Sequence, residues 1–434
     1  MTGPPSPTTP LIAAFAGLYI LAFALFAWVM IRRRSWPRIL RAFGVLAFAA
    51  VAAAVLAGKR HDYFYFVGQW SLTMNGGDPW AQSLENVEEN PGYGPLFNVF
   101  APLAEIYELL PKVLFTGAWL GTAIAVARLF QHDARARRFA PFVLAYFVLN
   151  PYFWIEIPLY GHFDILPSAA TLASVHLLLR GTERRSGAAL AVGMLLKVVP
   201  VCALPFLIAW SRRRWKALVL GFTSVVVVVE AVAYAIWGTH AVTFPSLATG
   251  RRSNLLSVFA FLRGDYSPLQ LVMDEPNVDW ASLPLLVVAG AILVWGLALP
   301  RAHLVLSVTI AFVVVLGLYL RGHQQFQMLV FVLVPYLFLT VGDAVRRERL
   351  LWATLGAYVA WISGFTVVYV VGGQLHDEPW IELRHIVGLP TFLITVMTVI
   401  VLVRYRNAPL CVPAPARTPT AQASQLGNLT RRTS

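Results

Sequence analysis

Apolar stretches long enough to cross a membrane recur along most of the chain, and they restrict its possible folds more than any other sequence feature. A crossing helix needs roughly 20 mostly apolar residues, because each residue adds about 1.5 Å towards a hydrocarbon layer of about 30 Å. Of the 434 residues, 58% are hydrophobic and only 13% are charged. This composition predicts an all-α, polytopic membrane protein and excludes an ordinary soluble domain.

About eleven segments have the length and apolarity of a transmembrane helix. They cover residues 11–31, 39–57, 112–130, 139–156, 163–180, 216–237, 282–299, 302–320, 325–341, 350–371 and 386–403. The apolar stretch 187–210 is different, because Lys197 and Pro200 interrupt it and a proline removes a backbone donor from a helix. We predict a re-entrant helical hairpin there.

The distribution of charge supports this topology, since Lys and Arg beside membrane helices mark cytoplasmic loops. With the N-terminus outside, the predicted cytoplasmic segments contain 25 of the 34 basic residues, and the opposite side contains sixteen of the twenty-one acidic ones. The formal net charge of +13 is therefore concentrated where anionic lipid headgroups lie. We expect contacts with membrane lipids and no binding of nucleic acid.

The topology divides the chain into six parts. They are two N-terminal transmembrane helices (1–58), a first extracytoplasmic loop (59–111), a transmembrane region with the re-entrant hairpin (112–237), a second extracytoplasmic loop (238–281), the C-terminal transmembrane helices (282–405) and a disordered cytoplasmic tail (406–434). In the first loop, apolar residues at helical spacing over 98–110 predict an amphipathic helix on the outer leaflet.

An acidic residue, Asp62, follows the second predicted crossing at the start of the first long outer loop. A carboxylate at this position can meet a lipid-borne substrate at the interface and accept a proton from a hydroxyl nucleophile. Alternatively, Asp62 only caps the helix that follows it. The residues alone leave both interpretations open.

Short motifs around and beyond Asp62 occur in a characteristic order. They are Asp62-Tyr63 with Tyr65-Phe66, Gly76-Gly77-Asp78-Pro79-Trp80, Tyr93-Gly94-Pro95-Leu96-Phe97, Gly161-His162-Phe163-Asp164 and Lys197-Val198-Val199-Pro200. Together they resemble the GT-C superfamily, the multi-spanning glycosyltransferases that use polyprenyl-phosphate sugars. Within it they are similar to the polyprenol-phosphate-mannose-dependent α-mannosyltransferases, whose patterns read D-x-x-V-Y, G-x-x-P-Y, Y-x-P-L-F, G-Q/N-x-D/E and K-x-x-P.

The chain also departs from that family. Two helices precede Asp62 where one is usual, and the sequence has no Asp-x-Asp pair beside it. The assignment is therefore kept at the level of the superfamily. A divalent metal cofactor is neither required nor excluded.

The resemblance implies that Asp62 is the catalytic base of an inverting transfer from a polyprenyl-phosphate sugar, with mannose as the expected sugar, to a glycolipid or glycan acceptor. The departing lipid phosphate gains negative charge, which cations stabilise. The candidates for binding the donor phosphate are Lys197, Arg251, Arg252 and His323. The candidates for binding the sugar or the acceptor are Tyr93, His162, Asp164 and Gln324.

Each binding candidate also has a purely structural interpretation. Lys197 could extend to a membrane interface, and the paired arginines could be ordinary loop charges. His162 and Asp164 could pair at the start of a helix, where an acid suits the helix dipole. The polar run 323–325 could anchor a helix at the interface.

Two other function classes compete with a glycosyltransferase. A secondary transporter could also use intramembrane charges and a broken helix, but repeated halves are not evident. A scaffold or a flippase for lipid-linked sugars would not need Asp62. A soluble nucleotide-sugar enzyme is disfavoured, because no Gly-rich phosphate loop opens a helix.

The cellular setting is inferred from composition. The chain has four lysines against thirty arginines and is rich in Ala and Val, which is typical of a GC-rich bacterial genome. We therefore expect a multi-pass protein of the plasma membrane, with its active site facing the periplasm or exterior and a role in building the cell envelope.

Overall fold

The computed structural model describes residues 9–32, 35–60, 62–80, 93–247, 254–263, 275–297, 302–319, 321–375 and 386–411. Within these ranges the chain is almost entirely helical, with one pair of two-residue strands. The predicted all-α class is confirmed at this level.

The described residues of the N-terminal half form eleven α-helices. They are α1 Thr9–Ile31, α2 Trp36–Ala57, α3 Asp62–Met74, α4 Ala101–Ile106, α5 Leu110–His132, α6 Ala140–Leu149, α7 Pro151–Trp154, α8 Ile165–Leu179, α9 Glu183–Leu196, α10 Leu204–Ser211 and α11 Trp215–Trp237. Short 3₁₀ turns cover Pro95–Phe100, Arg137–Phe139, Val199–Ala203 and Arg212–Arg214, and a π-helical turn covers Ile155–Leu159.

The C-terminal half continues with eight helices in the described residues. They are α12 Thr239–Leu247, α13 Val258–Arg263, α14 Glu275–Leu297, α15 Leu304–Leu318, α16 Met328–Thr340, α17 Asp343–Arg346, α18 Arg349–Leu375 and α19 Gly388–Arg404. A 3₁₀ turn at Gln324–Gln327 leads into α16. The strands β1 (Asn254–Leu255) and β2 (Arg321–Gly322) pair in parallel.

Every predicted crossing coincides with a helix, but these helices differ in length. Four described segments are long and apolar enough to cross a membrane alone, namely Trp36–Ala57, Leu110–His132, Val199–Trp237 and Arg349–Val371. A fifth is possible as a pair, Arg137–Leu149 with Pro151–Leu159, bent by 46°. Shorter apolar helices occupy the other positions. The count of eleven crossings stays a prediction.

The interrupted apolar stretch 187–210 forms an outward and a returning arm. The first arm, α9, ends at Lys197, which has an extended backbone (φ −158°). The second arm leads to Arg214, whose guanidinium lies 3.8 Å from the Glu183 carboxylate at the start of α9. Both ends of the segment therefore lie on the same side of the molecule. That this hairpin is re-entrant in a membrane stays a prediction.

Close helix contact fixes this hairpin against α11. A Cβ added at Gly221 would lie 2.0 Å from the carbonyl oxygen of Arg184. Small residues allow helix backbones to approach this closely, which strengthens packing where water supplies no hydrophobic driving force. The start of α9 is thus held at the start of α11.

Two predictions about loops need correction. The amphipathic helix predicted over 98–110 is shorter: α4 ends at Ile106, and Tyr107 is extended (φ −157°). Prolines at the starts of α4 and of α5 separate the two helices, because proline favours the first turn of a new helix. The exposed apolar residues Val99 (62%), on the preceding 3₁₀ turn, and Ile106 (76%), on α4, still fit the predicted contact with a membrane surface.

The start of the predicted disordered tail is ordered. The amide of Cys411 donates to the carbonyl of Thr340 over 2.7 Å, and Arg406 accepts a backbone hydrogen bond from His303. Backbone pairing with the helical body holds residues 406–411 in place. The rest of the tail, residues 412–434, lies outside the described residues.

Adding a single methyl group at Gly221 tests the close contact between α9 and α11. We expect Gly221→Ala to destabilise the protein by about 1–3 kcal/mol, because the added carbon forces α9 and α11 apart. The measurement is thermal unfolding of the detergent-purified protein. Gly117→Ala on α5 is the matched control, since a Cβ there meets nothing within 4 Å. Equal stability of the two variants would contradict the close approach.

Candidate active site

Asp62 lies in the first turn of α3, where a carboxylate suits the helix dipole. Its side chain also contacts two other parts of the chain. The Gln325 amide donates to Oδ2 over 3.2 Å, and His162 Nε2 lies 3.3 Å from the same oxygen. Asp62 keeps 28% of its side chain exposed. It is therefore more than a local helix cap, and it can still meet a substrate.

Behind Asp62, His162 is fully buried between two carboxylates. Its Nδ1 lies 2.6 Å from Glu156 Oε2, and both side chains have no exposed surface. Burial lowers the pKa of His162, but the Glu156 and Asp62 carboxylates outweigh it and raise the pKa to about 9. The raised pKa favours the protonated ring, and the three groups form a connected row from the interior to the partly exposed Asp62.

Local backbone geometry produces this row. The amide of His162 donates to the carbonyl of Glu156 over 2.8 Å, six residues back, just after the π-helical turn. Gly161 has a φ of +77°, and a Cβ there would lie 2.5 Å from the ring of Tyr63. Only glycine fits this turn without displacing the aromatic ring. The π-helical turn and Gly161 together direct His162 towards Asp62.

A second buried pair contains Asp164, two residues after His162. The Lys197 ammonium contacts the Asp164 carboxylate, with only 8% and 5% of the two side chains exposed. The ammonium also lies 3.9 Å from the centre of the Phe326 ring, within cation–π distance. Asp164 therefore pairs with Lys197, and not with His162 as one structural interpretation held.

The first outer loop is joined to Lys197 through the backbone. Tyr93 and Lys197 form an antiparallel bridge, and the amide of Gly94 donates to the carbonyl of Leu196 over 3.1 Å. A Cβ at Gly94 would lie 2.0 Å from the carbonyl oxygen of Leu195, so the motif needs glycine here. Three predicted motifs, those at 93–97, 161–164 and 197–200, are thereby brought together.

Aromatic rings fill the space between these motifs. The ring of Phe163 lies 5.0 Å from that of Tyr93 and 4.7 Å from that of Phe97, centre to centre. Phe66, on the same helix as Asp62, packs against Tyr93 at 5.2 Å. Such aromatic pairs add about 0.5–1.5 kcal/mol each beyond their buried area. The cluster is a rigid support on which the polar groups are placed.

The remaining first-loop motif, 76–80, joins the two long outer loops. Asp78 Oδ2 lies 2.5 Å from Nδ1 of His240, which begins the second loop. Trp80 is fully buried, and its indole donates to the carbonyl of Tyr93 over 3.1 Å. This motif therefore positions Tyr93 and does not itself reach Asp62 through these contacts.

Buried amides follow β2 and approach the row from another side. Gln324 has no exposed surface, and neither of its side-chain polar atoms has a hydrogen-bond partner among the described residues. The backbone carbonyl of Gln324 accepts a hydrogen bond from the Tyr152 hydroxyl over 2.8 Å. His323 is half-buried, with its ring 6.0 Å from that of Phe326. A buried amide without partners costs about 1–3 kcal/mol, which favours a ligand contact at Gln324.

The predicted phosphate candidates Arg251 and Arg252 lie outside the described residues. The neighbouring strand β1 is described, and it pairs Asn254 with Arg321 and Leu255 with Gly322. The second outer loop therefore returns to the segment that carries His323.

Two buried groups of this region were missed by the sequence analysis. Glu156 was counted only as an outer acid, although an acid inside an apolar stretch six residues before His162 was a usable signal. Lys112 is fully buried and donates to the carbonyls of Gly58 and Leu159, at 2.8 and 2.9 Å. It ties the end of α2, just before Asp62, to the end of the π-helical turn.

Among the residues that the structure describes, no set of three or more His, Cys, Asp or Glu side chains is arranged to hold a metal ion.

The fold defines the class of the protein, because several long apolar helices fit an integral membrane protein. The site adds acidic side chains that lie close together where the first outer loop meets the helices. The model of glycosyltransferase family 87 matches residues 90–321, just over half of the chain. The chain therefore belongs to glycosyltransferase family 87, a GT-C-like family of membrane glycosyltransferases. A comparison with the curated proteins finds no match.

Family membership confirms the superfamily that the motifs predicted. The matched range includes Tyr93, His162, Asp164 and Lys197, whereas Asp62 precedes it. The link between Asp62 and the family region is therefore the contact with His162.

The buried Lys197–Asp164 pair is testable by a double-mutant cycle. We expect Lys197→Met and Asp164→Leu each to destabilise the protein by about 3–5 kcal/mol, because each leaves one buried charge uncompensated. The double variant is expected to lose less than the sum by about 0.5–3 kcal/mol. Unfolding of the purified proteins in one detergent measures all four stabilities. Strictly additive losses would show that the two charges do not interact.

Proposed function

We propose that the protein transfers a sugar, mannose, from a polyprenyl-phosphate donor to a lipid or glycan acceptor on the extracytoplasmic face of the plasma membrane. Membership of a glycosyltransferase family supports the reaction class. The observation that carries the proposal is the partly exposed Asp62, whose Oδ2 is approached by both His162 and Gln325. A carboxylate held in this way suits a base at the edge of a membrane.

In the proposed reaction, Asp62 accepts the proton of the acceptor hydroxyl as its oxygen attacks the anomeric carbon. The bond between that carbon and the phosphate oxygen breaks, and the polyprenyl phosphate leaves with the bonding electrons. The displacement occurs in one step, so a β-linked donor gives an α-linked product. Asp62 then returns its proton to the solvent that reaches its exposed side.

The leaving phosphate requires positive charge close to where its own charge develops. We assign this role to Lys197, which lies beside the motifs at 93–97 and 161–164 and pairs with Asp164. Arg251, Arg252 and His323 are further candidates, because β1 pairs with β2 directly before His323. Arginine can hold phosphate with two parallel hydrogen bonds, whereas lysine acts as a point charge.

The proposed sugar contacts differ in their support. Gln324 is the strongest, since its buried amide has hydrogen-bonding capacity that the described residues do not satisfy. Tyr93 and Asp164 line the same region but already hold Lys197 by backbone and side chain. His162 is enclosed between Asp62 and Glu156, so we assign it to Asp62 and no longer to the sugar.

The proposed sidedness rests on charge. In the predicted topology the basic loops lie at the helix ends opposite to Asp62, and such loops favour the cytoplasm. A polyprenyl-phosphate donor suits the other face, where nucleotide sugars are absent.

Removal of the base should abolish transfer. We expect Asp62→Asn to lower transfer from radiolabelled polyprenyl-phosphate mannose by about 100-fold or more, because an amide cannot accept the proton. The measurement compares membranes of equal protein content and counts label in extracted acceptors.

Glu105→Gln is the matched control, since Glu105 is an exposed acid on the helix α4 of the same outer loop. It should keep near wild-type transfer. Full activity of Asp62→Asn would discard Asp62 as the base. Transfer by wild type from a different polyprenyl-phosphate sugar alone would replace mannose and retain the reaction class.

A further inference from the structure

Glu156 is a fully buried carboxylate that the proposed reaction does not use. It lies on the π-helical turn Ile155–Leu159 with no exposed side-chain surface. A buried carboxylate is costly unless a cation or several donors accompany it. Among the described residues its ion-pair partner is His162, at 2.6 Å.

The geometry of the imidazole indicates its charge. Nδ1 faces Glu156 at 2.6 Å, and Nε2 faces Asp62 at 3.3 Å. A neutral imidazole has one N–H and one lone pair, so it would present a lone pair to one of the two carboxylates. Only the doubly protonated ring offers an N–H to both.

Among the described contacts, the charged groups that face the ring are two carboxylates. Asp62 reaches it from α3, and Glu156 reaches it from the π-helical turn, while the uncharged amide of Gln325 approaches from the other side of Asp62. The ring of Tyr160 lies 5.8 Å away, centre to centre. Lys112 on α5 approaches this turn only at the carbonyl of Leu159.

We infer that Glu156 is a positioning residue: its carboxylate keeps His162 doubly protonated, so that the cationic ring, with Nε2 3.3 Å from Asp62 Oδ2, holds that carboxylate ionised and oriented for catalysis. This inference rests on the proposed function, in which the ionised Asp62 is the base. Without Glu156, burial would leave His162 neutral, and Asp62 would lose the neighbouring positive charge that favours its ionised form. Glu156 therefore sets the pH range in which the base operates.

The kinetic test is the pH profile of kcat/KM for transfer. In wild type, kcat/KM should fall on the alkaline side near pH 9, where His162 loses its proton. This fall is the alkaline limb of the profile. In Glu156→Gln, which keeps a hydrogen-bond acceptor but removes the charge, this limb should move to lower pH by at least about one unit. At pH 10, above both limbs, the variant should then be about tenfold slower or worse, with KM for the donor unchanged.

Glu156→Asp is the conservative control, because it retains the charge and should keep the alkaline limb close to its wild-type position. A uniform loss of activity in Glu156→Gln, with the limb unmoved, would show a merely structural role and overturn the inference.

A second readout does not depend on the donor. In protein carrying ¹⁵N-labelled histidine, the two ring nitrogens of His162 should show the shifts of an imidazolium at pH 7.5 in wild type and of a neutral ring in Glu156→Gln. The His162 signals are identified by their loss in His162→Gln. A neutral His162 in wild type at this pH would overturn the inference even if transfer is observed. Absence of transfer with an imidazolium present would instead count against the proposed function alone.

Discussion

Charges buried inside an apolar helical body must neutralise one another, and the arrangement of the candidate site depends on this requirement. An isolated charge in such surroundings costs several kcal/mol, and truncation of one partner typically costs about 3–5 kcal/mol. The molecule places two sets side by side: Glu156, His162 and Asp62 in one row, and Lys197 with Asp164 in the other. The row is acidic overall and reaches the exposed edge, whereas the pair is neutral.

The two sets have different capacities. The row ends in a carboxylate with 28% exposure, which can exchange a proton with a substrate. The pair offers an ammonium on an aromatic support, with the Phe326 ring at 3.9 Å. A displacement reaction needs both groups: the base takes the proton of the attacking hydroxyl, and the cation stabilises the charge on the leaving phosphate. Loop contacts, above all the Tyr93–Lys197 bridge, hold the two at fixed positions.

Much of the helical fold could be predicted from the sequence, because apolar length is a local property. Each of the predicted crossings coincides with a helix, and Lys197 interrupts the hairpin where its charge and Pro200 predicted. The pairing of distant groups could not be predicted. Gln325 meets Asp62 across 263 positions, and Asp164 meets Lys197 across 33. Such contacts depend on how helices pack, which periodicity does not encode.

The role of Glu156 was hidden for a more local reason. Residues six apart do not share a face of a regular α-helix, so its spacing from His162 suggests no contact. The π-helical turn and the positive φ of Gly161 change that geometry. The chain length between acid and histidine was visible in the sequence, but the irregular turn that joins them was not.

The most direct measurement of the central claim, a single displacement with Asp62 as base, is the anomeric configuration of the product. Wild-type protein would be supplied with β-linked polyprenyl-phosphate mannose labelled with ¹³C at the anomeric carbon, and the one-bond carbon–hydrogen coupling of the purified product would be read by NMR. An α-linked product is predicted, because one attack inverts the carbon. A β-linked product would contradict the single displacement and require a covalent intermediate that Asp62, acting as a base, does not form.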